Sequence, residues 1–221
     1  DTAPIRSAAE TPPPLIELRD VTIRFGRQEV LRRISLQIPA GQTLAVIGES
    51  GCGKSVLMKT MIGLITPTDG QVLFDGVDLA TLGEKELSRA RIRFGYVFQN
   101  AALFDSMTVG QNIAFPLRQH ADLSPAQIDE VVAARLVEVG LPRSVLSKKP
   151  AELSGGMRKR VGLARALVLN PEVVLYDEPT TGLDPIMSDV INELMLRTRH
   201  RYAVTGVLVT HDMTTARKVP D

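Results

Sequence analysis

Apolar and polar residues alternate along the first part of the chain. The segments "IELRDVTIRF" (16–25) and "VLRRISLQIPAG" (30–41) both show this alternation, and the second ends in a Pro-Ala-Gly turn. Strict alternation is typical of antiparallel strands that turn one face to solvent. The pattern therefore predicts an antiparallel β unit at the start of the fold.

The rest of the pattern consists of short apolar runs separated by helical periodicity. Runs such as "TLAVIG", "RFGYVFQ", "EVVLYD" and "GVLVT" are typical of buried strands, and "GQVLFDG" adds a further strand. Helices are predicted for "KSVLMKTMIGL", "EKELSRARI", "RKRVGLARALVL" and "PIMSDVINELMLRT", and a last one near Met213. Strands that alternate with helices predict a mostly parallel sheet covered on both faces.

A purely helical segment interrupts this alternation. "TVGQNIAFPL" and "SPAQIDEVVAARLVEVG" have no strand between them, and Ser124 followed by Pro125 is a good helix start. We predict a helical insertion from about Asn100 to Pro150. With the helix that follows, the helical subdomain spans about residues 100–165.

The ends of the chain differ from its middle. "DTAPIRSAAETPPP" is rich in Pro and Ala and lacks an apolar core, so we expect residues 1–14 to form a flexible arm and residues 15–221 to form one domain. The sequence lacks an initial Met and stops at "ARKVPD". We therefore expect the C-terminal end to be incomplete and the chain to be part of a longer protein.

Composition narrows the class of protein. A length of 221 residues suits one α/β domain with an inserted subdomain. The formal net charge of +1 provides no strong field toward nucleic acid. No apolar run approaches the roughly 18 residues that span a bilayer. A single cysteine, Cys52, rules out an internal disulfide.

A glycine-rich loop between a predicted strand and a predicted helix carries the first candidate chemistry. "GESGCGKS" fits the phosphate-binding P-loop pattern, in which backbone N–H groups surround phosphates. We expect Lys54 to reach the terminal phosphates and the Ser55 hydroxyl to bind Mg²⁺. Cys52 is interpreted as a small filler that thiol reagents can reach. The predicted ATP-binding residues of the loop are Gly48, Glu49, Ser50, Gly51, Cys52, Gly53, Lys54 and Ser55.

Two acids end a buried strand, where α/β sheets place their ligands. In "VVLYDEP", Asp177 is expected to hold Mg²⁺ through water and Glu178 to orient and deprotonate an attacking water. A second candidate anion site lies in "LSGGM". Ser154, Gly155 and Gly156 begin a helical pattern, where backbone N–H groups favour an anion.

The P-loop, "LSGGM" and "YDEPTTGLDP", in this order, resemble the ATP-binding-cassette (ABC) ATPases over nearly all of residues 15–221. The resemblance implies an α/β nucleotide-binding domain of the P-loop class. Its parts are a mixed central sheet, an antiparallel β subdomain and a helical subdomain that carries the "LSGGM" signature. It also implies ATP and Mg²⁺ as ligands, and a head-to-tail homodimer in which each signature binds the ATP held by the other copy.

Four further roles follow from matching positions in that family. Phe25 matches the aromatic that stacks on adenine, Gln99 the residue that senses Mg²⁺ and the γ-phosphate, Asp184 an acid that communicates across the dimer, and His211 the switch histidine. Each has a structural alternative. Phe25 could pack in the core, Gln99 could cap a strand end, Asp184 could be a helix N-cap, and His211 could belong to a turn.

A finer resemblance concerns cargo. "FQNAALFDSMTVGQNIAFPL", "ELSGGMRKRVGLARAL" and "YDEPTTGLDPI" resemble the Mla/Mkl-type ATPases of bacterial phospholipid transport, which have Met where other cassettes have Gln, here Met157. This implies a location on the cytoplasmic face of the inner membrane. The implied partners are membrane permeases, a lipid-binding periplasmic protein and a small accessory subunit.

Two alternatives stay open at this stage. A transporter ATPase for another cargo would have the same catalytic motifs. A soluble cassette ATPase that acts on DNA or ribosomes is disfavoured, because such members carry a long coiled coil or two cassettes. Here Gln99 and Ser154 are close in sequence, there is one P-loop, and the charge is nearly neutral. We therefore expect no nucleic-acid partner.

Overall fold

The computed structural model describes residues 13–49 and 51–220. The strands of the fold are β1 (Pro14–Phe25), β2 (Gln28–Pro39), β3 (Thr43–Ile47), β4 (Asp69–Phe74), β5 (Val77–Asp78), β6 (Phe94–Val97), β7 (Val173–Asp177) and β8 (Thr205–Thr210). The helices are α1 (Lys54–Met61), α2 (Glu84–Ile92), α3 (Val109–His120), α4 (Pro125–Glu138), α5 (Gly155–Leu167), α6 (Pro185–Tyr202) and α7 (Met213–Lys218).

The strands form two four-stranded sheets. One has the order β2-β1-β4-β5 and is antiparallel, as the alternating pattern at the start of the chain predicts. The other has the order β3-β8-β7-β6, and all three of its pairings are parallel. The expected combination of parallel and antiparallel strands is confirmed, and the two directions are divided between two sheets.

The predicted helical segment is also present. The side chain of Thr108 caps α3, and Ser124 caps α4 with Pro125 in its first turn, because both hydroxyl groups accept a backbone N–H three residues on. α5 begins at Gly155, three residues before the predicted "RKRVGL" helix, because Ser154 caps it. Leu64 was predicted to lie on an apolar face of α1, but α1 ends at Met61 and Leu64 is exposed.

Two apolar cores fix the position of the two sheets. One lies between the antiparallel sheet, α1 and the parallel sheet. The other joins the opposite face of the parallel sheet to α3, α4, α5 and α6. Val161, Ala164 and Val168 are buried in this second core, and Met157 packs against it, so the start of α5 is held by a packed stripe.

Two expectations concern the ends of the chain. Residues 1–12 of the predicted arm and the final residue, 221, lie outside the described residues. Pro14, assigned to the arm from sequence, already belongs to β1 and pairs with Pro39. Within 13–49 and 51–220, no helix has the length and apolar character needed to cross a membrane.

Candidate active site

The P-loop connects the C-terminal end of β3 to the start of α1. Gly51 and Gly53 adopt left-handed backbone angles, with φ of 84° and 98°. Such angles favour glycine. Lys54 is buried, and its Nζ donates hydrogen bonds to the carbonyl oxygens of Gly48 (2.7 Å) and Glu49 (2.8 Å). Backbone carbonyl groups of the loop thus hold the ammonium group of Lys54. Ser50, predicted as part of this loop, lies outside the described residues.

Cys52 is exposed within this loop. Gly48 lies so close that a Cβ added there would be 2.7 Å from the Cys52 Sγ atom. The thiol therefore fills the space beside a glycine, which supports its interpretation as a small filler that reagents can reach.

Ser55 and Asp177 meet at the end of the parallel sheet. The Ser55 hydroxyl donates to Asp177 Oδ1 at 3.3 Å, and the Tyr96 hydroxyl donates to Asp177 Oδ2 at 3.0 Å. Burial, together with the charge of Asp177, raises the pKa of Tyr96, so its proton stays on the hydroxyl. Mg²⁺ prefers one or two protein oxygens together with water and phosphate. The donor set of Ser55 and Asp177 fits that preference.

Glu178 lies next to Asp177 and is buried. Its Oε2 is 2.8 Å from His211 Nδ1 and accepts a hydrogen bond from Thr181 Oγ1 at 3.0 Å, while its Oε1 is 3.6 Å from Lys54 Nζ. Burial by itself would raise the pKa of Glu178, but the hydrogen bonds from His211 and Thr181 outweigh it and lower that pKa. Glu178 is therefore ionised at neutral pH, as a proton acceptor must be.

These groups face one cavity of about 370 Å³. Phe25 and Val30 line one side, and 52% of Phe25 is exposed, so the alternative that Phe25 packs in the core is wrong. The cavity is lined by Phe25, Val30, Gly51, Gly53, Lys54, Ser55, Val56, Gln99, Glu178 and His211. The fold therefore brings together predicted residues that are far apart in sequence.

The signature residues are not among those that line this cavity. Ser154 is exposed at the start of α5, and its hydroxyl accepts from the backbone N–H of Met157 at 3.3 Å. Gly156 packs so closely that a Cβ there would lie 2.6 Å from Met187 Cε. Asp184 is exposed and caps α6 by accepting from the Met187 N–H at 2.9 Å, so its N-cap interpretation is confirmed.

Three residues around the site were not predicted from the sequence. They are Tyr96 on Asp177, Thr181 on Glu178, and Lys159, whose Nζ donates to the Glu178 carbonyl oxygen at 3.1 Å. A tyrosine in a strand and a lysine in a helix carry no pattern that marks them. Thr181 stands in the recognised "YDEPTTGLDP" segment and could have been considered as a partner of the acid three positions before it.

Comparisons with known proteins agree with this geometry. The model of the ABC transporter family matches residues 31–181, so the chain belongs to that family. The fold is similar to a dimeric ATP-binding cassette in a post-hydrolysis state bound to ADP and Pi, with a TM-score of 0.84 and 31% identity over 92% of this chain and 91% of that one. It is also similar to cbiO1 of Clostridium perfringens, part of an ABC transporter complex, with a TM-score of 0.85 and 28% identity over 95% and 83% of the two chains.

Three curated relatives place the chain more narrowly. The "probable ribonucleotide transport ATP-binding protein mkl" of Mycobacterium leprae is 44% identical over 93% of this chain and 59% of its own length. The "intermembrane phospholipid transport system ATP-binding protein MlaF" of Escherichia coli is 38% identical over 94% and 77%. The chloroplastic protein TRIGALACTOSYLDIACYLGLYCEROL 3 of Arabidopsis thaliana is 44% identical over 94% and 64%. The chain thus spans less than two thirds of the length of the mkl proteins it matches.

Proposed function

We propose that this chain is the ATP-hydrolysing motor subunit of an ABC transporter. The observation that carries the proposal is the position of the Glu178 carboxylate, ionised and held between His211 and Lys54 at the P-loop cavity. A carboxylate in that place accepts a proton from a water that attacks the terminal phosphate of ATP.

The residues around the cavity have different roles in ATP hydrolysis. Lys54 and the N–H groups of the loop hold the phosphates, and Phe25 stacks on the adenine. Ser55 and Asp177, with Gln99 at the rim, hold Mg²⁺, which neutralises developing charge on the phosphates when it is bound. Glu178 takes the proton of the attacking water, and His211 contacts the γ-phosphate and orients that carboxylate.

The signature forms the other half of a site in a second copy of the chain. The start of α5 exposes Ser154 and part of Gly155 outside this chain's own cavity, and the buried Gly156 follows them in the first turn. The positive end of a helix favours an anion by about 0.3–1 kcal/mol, and by up to ~2 kcal/mol when it is partly buried. Two head-to-tail copies would therefore enclose two ATP molecules, with Asp184 near the contact between them.

The proposed cargo is a phospholipid. Support comes from the subfamily motifs and from the relatives named for phospholipid transport, while the mkl relatives are named for ribonucleotides. We place the chain on the cytoplasmic face of the inner membrane. Its proposed partners are a permease, a lipid-binding periplasmic protein and a small accessory subunit. Purification with native membrane partners, followed by identification of the lipids bound to the permease and the periplasmic protein, tests the cargo, and the absence of phospholipid from those partners would contradict it.

Hydrolysis itself is tested with the purified chain. We expect the wild type to hydrolyse ATP, Lys54→Ala to lose tight ATP binding, and Glu178→Gln to bind ATP with a turnover lower by about 10²–10⁴-fold. A Glu178→Gln variant with wild-type turnover would show that another group accepts the proton.

The composite nature of the sites has its own test. A mixed dimer of one Lys54→Ala and one Ser154→Arg copy contains one site with both defects and one with neither. We expect this mixed dimer to keep partial activity while each homodimer is inactive. If the two sites do not depend strictly on each other, an inactive mixed dimer of folded copies would contradict the arrangement in which each site is shared.

A further inference from the structure

Lys159 is a buried cation in α5 that the proposed chemistry does not use. It is 7% exposed, and its Nζ donates to the Glu178 carbonyl oxygen at 3.1 Å. Among the described residues, the Glu178 carbonyl oxygen is the hydrogen-bond acceptor of the Lys159 ammonium group. A helix that lies outside the nucleotide cavity thus contacts the backbone of Glu178, the proposed catalytic base.

The position of Lys159 is unfavourable for stability. Burial lowers the pKa of its ammonium to about 8, against the opposing effect of the Glu178 charge. An apolar side chain of similar length would avoid this desolvation. The Glu178 carbonyl would still accept the Thr181 N–H at 3.2 Å. An apolar side chain at this position would thus leave the Glu178 carbonyl paired.

The backbone that Lys159 contacts has an unusual conformation. Glu178 has a φ of 48°, in the left-handed region that non-glycine residues seldom adopt. The Glu178 N–H donates to the Val209 carbonyl oxygen at 2.9 Å. The Glu178 carbonyl oxygen accepts hydrogen bonds from the Thr181 N–H and from Lys159 Nζ. These bonds hold the backbone of Glu178 on both sides and so restrain the point from which its side chain extends toward Lys54 and His211.

We propose that Lys159 is a positioning residue that ties the backbone of Glu178 to α5 and thereby couples the two ATP sites of the dimer. The inference rests on the proposed function. In that dimer, Ser154 at the start of α5 contacts the nucleotide of the partner copy, and Lys159, five residues further along the same helix, holds the acid of this copy. Five residues span about 7.5 Å along a helix, so both contacts move as one rigid unit.

The direct test replaces Lys159 by methionine, which has nearly the same length and no charge. We expect Lys159→Met to lower kcat for ATP by about 10- to 100-fold, because small displacements of a catalytic group have effects of that size. The KM for ATP should change by less than about twofold. The midpoint of thermal unfolding should stay the same or rise. Lys159→Arg, which keeps a cation and its donors, should recover most of kcat.

Arg91→Met provides the matched control. Arg91 also donates to backbone carbonyls, those of Ile62 and Gly63 at 3.1 and 2.6 Å, and neither belongs to the proposed site. We expect Arg91→Met to lower the unfolding midpoint and leave kcat intact, the opposite of Lys159→Met.

Two results would overturn the role of Lys159. One is a kcat of Lys159→Met equal to that of an active wild type. The other is a loss of kcat that accompanies a lower unfolding midpoint and is not recovered by Lys159→Arg, which would indicate a structural role alone. A wild type that hydrolyses no ATP would instead contradict the proposed function from which the inference starts.

Discussion

At the residue scale, Phe25 gives the most direct link between sequence and ligand. It ends β1 and turns an exposed ring toward the cavity that the P-loop also lines. Since every base presents a flat π-face, we propose that this aromatic ring stacks on the adenine of ATP. Because the ring is exposed and does not pack in the core, its replacement should affect nucleotide binding and leave folding intact.

We predict that Phe25→Ala weakens ATP binding by about 1–3 kcal/mol, the usual contribution of one base stacked on an aromatic side chain. Phe25→Tyr keeps the ring and should bind like the wild type, so it serves as the control. Titration calorimetry with ATP measures both. Equal affinity of the wild type and Phe25→Ala would remove Phe25 from the adenine site.

At the scale of elements, a buried arginine joins α4 to the end of α6. Arg135 of α4 donates to Glu138 Oε2 at 2.6 Å, to the Tyr202 hydroxyl of α6 and to Asn170, which follows α5. Its guanidinium also lies over the Tyr202 ring, 4.8 Å from the centroid. Arg135 thus joins two helices, α4 and α6, and the segment that follows α5.

We predict that Arg135→Ala lowers the free energy of unfolding by about 1.5–3 kcal/mol, because it removes the hydrogen bonds that a buried charged group makes to Glu138, Tyr202 and Asn170. Arg201 is the matched control. It pairs with the same Glu138, at 3.3 Å, but its side chain is 65% exposed. Arg201→Ala should therefore change stability by no more than about 1 kcal/mol. Urea denaturation measures both values, and equal losses would contradict the role given to burial.

The segment between β6 and α3 presents apolar side chains to solvent. Phe104 is 43% exposed, packs on Phe115 with ring centroids 5.0 Å apart, and borders an apolar cavity of about 460 Å³. Leu103 and Met107 in the same segment are only partly exposed, and Leu103 packs against the second core. Phe104 is therefore the residue through which we expect this surface to contact the permease.

We predict that Phe104→Asp uncouples transport from ATP hydrolysis in the assembled transporter and leaves the basal ATPase of the isolated chain unchanged. The backbone here is held independently of the ring, since the side chain of buried Asn112 bonds both the N–H and the carbonyl of Phe104, at 2.8 and 3.1 Å. Circular dichroism checks folding. Loss of structure in Phe104→Asp would assign the ring to the core.

The elements also show what a sequence can and cannot predict here. Apolar runs and a loop motif in the sequence predict β3, β7 and α1. Ser124 and Asp184 predict the N-terminal caps of α4 and α6. The contact of Lys159 with the Glu178 carbonyl depends on how α5 packs beside β7, which no local pattern encodes. The φ of 48° at Glu178 is likewise set by tertiary contacts, because glutamate has no preference for that region.

At the scale of the whole molecule, the proposed ATP site consists of two halves that do not meet within one copy. The cavity holds the P-loop, Glu178 and His211, while Ser154 begins α5 outside it. In the proposed arrangement a second copy placed head to tail brings the two halves together, and a solved cassette with a similar fold is dimeric. In such a dimer ATP joins the copies, and hydrolysis removes the phosphate that joins them.

The association of Glu178→Gln with ATP tests this central claim most directly. The variant should bind ATP without hydrolysing it, so light scattering should report a monomer without nucleotide and a dimer with ATP. Glu178→Gln combined with Ser154→Arg should bind ATP at the P-loop and remain monomeric. A Glu178→Gln protein that binds ATP tightly and yet stays monomeric at high concentration, also within a longer form of the chain, would contradict the shared-site account.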